Sequence, residues 1–67
     1  MSPHTVAVRA IEAAIETMIL PGSGPVEEAK AETMVVAYFS ILVIDSNEFK
    51  HYCELIRRIA VRRKEAA

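Results

Sequence analysis

The run MVVAYFSILVI, Met34 to Ile44, carries no charged residue, and its reading decides the fold. Val35, Val36, Ile41, Val43 and Ile44 are β-branched, and Tyr38 and Phe39 also favour strands, so a strand is one reading. The preceding stretch favours the other. Glu27 to Glu32 are strong helix formers, no turn residue separates them from Met34, and a lone strand in a short chain has nothing to pair with. The run is therefore read as the second half of a helix over 25–44. A helix that is apolar on every side must be covered on every side, which makes this one the centre of the core, a subunit interface, or both.

Upstream lies Pro21-Gly-Ser-Gly-Pro25, in which two prolines and two glycines end one helix and begin the next, leaving a loop over 21–24. Before it, Ser2 and Pro3 suit an N-cap and a first helical position, so a helix over 3–20 is expected. Val8, Ile11, Ile15, Met18 and Ile19 form its apolar stripe. Downstream, Asp45 and Glu48 have the spacing of a capping box, and Ile44 and Phe49 occupy the two places of a hydrophobic staple. A third helix over 46–65 follows, with Phe49, Tyr52, Cys53, Ile56, Ile59 and Ala60 on one face. Three helices with short connections give an all-α fold, an antiparallel three-helix bundle that dimerisation would complete.

Sixty-seven residues form one domain, 52% apolar and 25% charged, which is globular and not disordered in character. A chain this short buries only about 60% of its unfolded surface. Its core rarely supplies more than roughly 3–5 kcal/mol unless a disulfide, a metal or a partner subunit adds to it. Cys53 is the only cysteine, so no intrachain disulfide forms and a reducing, cytoplasmic setting is expected. No signal peptide is read at the start, where residues 1–5 lack a basic region. The longest uncharged stretch, Thr33 to Ile44, has twelve residues, against about 20 for a membrane-spanning helix.

The net charge of -1 conceals a polarity. Residues 1–48 carry seven acids against Arg9 and Lys30, a net of -5, and residues 49–67 carry six bases against Glu54 and Glu65, a net of +4. Attraction between acidic helices and a basic third helix is the plain explanation, helped by the dipole at the third helix's C-terminus. The acidic set is Glu12, Glu16, Glu27, Glu28 and Glu32, and the basic set is Arg57, Arg58, Arg62, Arg63 and Lys64. Either surface is a candidate for a charged partner.

Catalytic signatures are weak. Cys53 and His51 stand two residues apart on a helix, about 200° around it, so they do not pair for nucleophilic catalysis. His4 and His51 are the only histidines, and with one cysteine they form no spaced zinc set. Asp45-x-Asn47 opens like a calcium loop, but Lys50 and Ile56 stand where glycine and the closing glutamate are required. Gly22-x-Gly24 is a turn with no phosphate-binding signature around it. No cofactor or metal is expected, and the chain is not read as an enzyme.

The expected role is a small cytoplasmic interaction or regulatory module that binds another protein, including action as a stoichiometric inhibitor. Val26, Met34, Tyr38, Phe39, Ile41, Leu42 and Leu55 are its candidate partner or homodimer contacts. The alternative is a nucleic-acid-binding regulator using the basic last helix, against which stand a pI near 6.1 and the lack of aromatic residues among the arginines. A purely structural helical dimer is the third reading.

Overall fold

The structure, a computed structural model, describes residues 2–66 and consists of α1 (Pro3–Ile19), α2 (Pro25–Ser40) and α3 (Ser46–Ala66). The described residues are helices and connections only, with α2 lying against both α1 and α3. This is the expected all-α three-helix bundle.

Each helix starts where a side chain meets its free amides. The Ser2 hydroxyl accepts from the Thr5 amide at 3.2 Å and Pro3 supplies the first turn. At α2 the cap is Gly24, which has no side chain to offer, so only half of a capping box forms: the Gly24 amide donates to Glu27 Oε1 at 2.8 Å. At α3 both halves are present, with the Glu48 amide donating to Asp45 Oδ1 at 2.8 Å and the Asp45 amide to Glu48 Oε1 at 3.1 Å. The Pro21–Gly24 loop reverses the chain through Gly22, whose φ of +85° is the left-handed region a glycine reaches without strain. Ser23 closes the loop by donating its hydroxyl to the Met18 carbonyl at 2.7 Å.

The second helix is shorter than the sequence pattern predicts: it ends at Ser40, and residues 41–44 are a turn. Leu42 sits at φ +60°. Its amide donates to the Phe39 carbonyl at 3.0 Å and the Val43 amide to the Tyr38 carbonyl at 3.0 Å. That pair of bonds is a Schellman motif, which satisfies the last carbonyls of a helix through one left-handed residue. Glycine usually fills that position. Leucine there costs roughly 1–2 kcal/mol of backbone strain, and its side chain is 83% exposed, so core packing does not repay it. The turn aims Ile44 inward to 1% exposure and begins α3 beside α2, where Phe39 and Phe49 stack at 4.4 Å.

The core is Ala7, Ile11, Ile15 and Met18 from α1, Ala31 and Val35 from α2, then Ile44, Tyr52 and Ile56. Two alanines and one valine among longer side chains let the helices approach closely. Val8, Phe49, Cys53, Ile59 and Ala60 are half-buried, as edges of the expected stripes. Ile19 departs from its stripe and is 66% exposed, because α1 stops there and the chain turns away. Polar ties join the helices at both ends of the bundle. His4 meets Glu48 at 2.6 Å at one end, and Arg63 reaches the Gly24 carbonyl and Glu28 Oε1, both at 3.4 Å, at the other.

Two measurements follow from these ends. Leu42→Gly removes the strain and almost no packing, so the urea midpoint should rise by the equivalent of about 1 kcal/mol at unchanged m value. Glu48 is held below its ordinary carboxyl value of 4.5 by the Asp45 amide first and by His4 second. A depressed carboxyl stabilises the fold above its unfolded value and ceases to as pH falls through the folded one. Wild-type stability should therefore drop below about pH 4.5 more steeply than that of Glu48→Gln, followed by circular dichroism.

Candidate functional site

The end of the bundle opposite the α2–α3 turn holds a groove of about 460 Å³. It forms because α1 ends at Ile19, the loop passes over Leu20, Pro21 and Gly22, and the last turns of α3 lie alongside with Ile59, Arg62 and Arg63. Met18 is buried beneath it, whereas Ile19 and Leu20 are 66% and 59% exposed. Arg63 is half-buried and held by Gly24 and Glu28, which fixes one guanidinium at the rim, while Arg62 is exposed. Apolar walls with one held and one exposed guanidinium suit an apolar side chain flanked by a carboxylate, since guanidinium groups offer directed donors.

Nothing in the chain's pattern announces this groove. Ile19 and Leu20 read as the end of a stripe, and Arg62 and Arg63 as a helix-terminal basic run more than 40 residues later. The only local hint is the bulky apolar pair directly before Pro21, outside the turns that could bury it.

A second groove, about 300 Å³, runs between α2 and α3 and is lined by Glu28, Glu32, Val36, Cys53, Arg57 and Ala60. Here the acidic and basic halves of the sequence meet: Glu28 and Glu32 lie across from Arg57, and Glu28 pairs with Arg63. Glu27 serves the α2 cap. Two of the five acidic candidates are thus engaged within the fold, leaving Glu12, Glu16 and Glu32 on exposed surface. Of the basic set, Arg57, Arg58, Arg62 and Lys64 are exposed.

The candidate contact residues divide. Val26, Ile41 and Leu42 are exposed at 62%, 66% and 83%. Met34, Tyr38, Phe39 and Leu55 are half-buried and pack against the core. His51 is exposed, with its ring edge to Tyr52, and Cys53 is half-buried. Among the described residues there is no cluster of His, Cys, Asp and Glu that would hold a metal ion, and no helix is long and apolar enough to cross a membrane. Comparison with protein-family models, curated proteins and solved structures gives no match to this chain.

Burial pushes the Cys53 thiol up, with Glu32 adding to the rise and Arg57 opposing it. A thiol so placed is a poor nucleophile at neutral pH. Alkylation of Cys53 by iodoacetamide at pH 7.5 should therefore run several-fold slower in the folded chain than in urea, read by mass spectrometry.

Proposed function

We propose that this chain is a small, non-enzymatic protein-binding module that takes an apolar side chain with a neighbouring carboxylate from another protein into the groove between Leu20 and Arg62. The observation that carries this reading is the exposure of Ile19 and Leu20, two large apolar residues, in a groove that Arg62 and Arg63 also line. Apolar anchors next to guanidinium groups are the residue types on which protein interfaces concentrate their affinity. A module of this size acts by occupying its partner's surface, which makes it a regulator or inhibitor of that partner. The engagement of Glu27 and Glu28 within the fold argues against the acidic surface as the main contact. The same engagement of Arg63 argues against a phosphate-binding role for the whole basic set.

The test is affinity capture from the native host with the wild-type chain, Leu20→Asp and Arg62→Glu, each first shown to retain its helical circular dichroism. Wild type should retain a partner in stoichiometric amount, Leu20→Asp should lose it, and Arg62→Glu should weaken it about fivefold, roughly 1 kcal/mol. Equal capture by Leu20→Asp contradicts the groove. Binding to nucleic acid with affinity that falls steeply with salt contradicts the reading as a whole.

A further inference from the structure

The walls of the Leu20–Arg62 groove carry backbone groups as well as arginines. Leu20 to Ser23 form a type II turn, with Pro21 second, Gly22 third at φ +85°, and the Ser23 amide donating to the Leu20 carbonyl at 3.2 Å. That bond diverts the Ser23 amide from the Ile19 carbonyl, its partner had α1 continued. Among the described residues the Ile19 carbonyl therefore receives no donor, and the Gly22 amide, central in the turn, has no acceptor. Ser23 is engaged, its hydroxyl donating to the Met18 carbonyl at 2.7 Å. The groove thus holds two free donors, Arg62 and the Gly22 amide, and one free acceptor, the Ile19 carbonyl.

Its charge is equally specific. No acid is found among the described residues that line it. Arg63 is offset by Glu28 at 3.4 Å, whereas Glu65, one turn beyond Arg62, makes no ion pair with it among the described residues. One uncompensated positive charge remains, which a single carboxylate balances and a doubly charged phosphate exceeds. Arg63 also shapes the groove. Its guanidinium crosses from α3 to the Gly24 carbonyl and Glu28, both at 3.4 Å, and so bars the way toward α2.

We propose that the occupant is the free C-terminus of a polypeptide, with its last apolar side chain above Met18 and its α-carboxylate on Arg62. This rests on the protein-binding reading of the groove and narrows it from any carboxylate to a terminal one. A terminal residue brings an apolar side chain, a carboxylate and a backbone N–H on one α-carbon. These match the apolar walls, the two free donors and the Ile19 carbonyl in turn. An internal Asp or Glu belongs to a chain that must continue past the Arg63 bar, and a fatty acid has no N–H to give the Ile19 carbonyl. Capture of a terminal carboxylate by fixed backbone donors is a recurring mode of peptide recognition. The volume of about 460 Å³ falls within the roughly 300–1,000 Å³ of small-ligand sites, so a short terminal segment fills it.

The probe is a mixture of short synthetic peptides of varied sequence ending in Leu, Ile, Val or Phe, as free acids, selected on the folded chain and identified by mass spectrometry. Selected peptides should shift the Gly22 and Ser23 amide resonances and bind about fivefold more weakly when remade as C-terminal amides. Arg62→Met, at an exposed position that leaves the fold intact, should bring the acid down to the affinity of the amide. Leu20→Asp should abolish binding of both. Equal affinity of acid and amide overturns the inference, as does a difference that survives Arg62→Met or decanoate binding as tightly as the peptides. Failure to retain any peptide at about 1 mM overturns it too. Amidated peptides with an internal Asp that bind as well, and are lost in Leu20→Asp, would overturn the terminal assignment while supporting the broader reading of the groove.

Discussion

The left-handed turn at Leu42 is the constraint on which the rest of this bundle depends. Between Ser40 and Ser46 the chain must end one helix, reverse and begin another without a glycine or proline to help it. It does so by directing the Leu42 and Val43 amides back to Phe39 and Tyr38. A residue in any other basin would leave those carbonyls at the helix end without partners from the chain and would send Ile44 elsewhere. With the turn in place, Ile44 enters the core, Asp45 and Glu48 cap α3, and Phe49 stacks on Phe39. The far end follows from that direction, because α3 then runs back along α2 until Arg63 reaches Gly24 and Glu28.

Charge plays a local role in this arrangement. The -5 and +4 halves of the sequence meet along α2 and α3, where Glu28 and Glu32 face Arg57 and Arg63. These pairs are partly solvated, so they orient helices more than they stabilise them. The surface also carries apolar residues: Ile19 and Leu20 at one end, Ile41 and Leu42 at the other, and the small-residue side of α2 between Val26 and Ala37. A chain with few buried residues and no disulfide has a small core to draw its stability from.

Much of this was legible beforehand. The starts of all three helices follow from Ser2-Pro3, Gly24-Pro25 and Asp45 with Glu48, because N-caps and early prolines act through side chains a sequence names outright. The end of α2 was not, because a Schellman turn is recognised by glycine at its left-handed position and here that position is Leu42, inside a run of apolar residues with no break. The extra turn of helix wrongly assigned to residues 41–44 made α2 look apolar all round. Its true length leaves Ala31 and Val35 buried on one side and Ala29, Thr33 and Ala37 open on the other. The groove was hidden for a different reason: it joins Ile19 and Leu20 to Arg62 and Arg63 across the whole chain, a proximity that no local pattern records.

The most direct measurement of this account is the backbone of residues 38–46 in solution by nuclear magnetic resonance. Helical carbon shifts should run to Ser40, break over 41–44 and resume at Ser46, with Leu42 showing the strong intraresidue amide–Hα contact of a positive φ and the Val43 amide exchanging slowly. Unbroken helical shifts through Ile44, with a negative φ at Leu42, would contradict the turn and the orientation of α3 that rests on it.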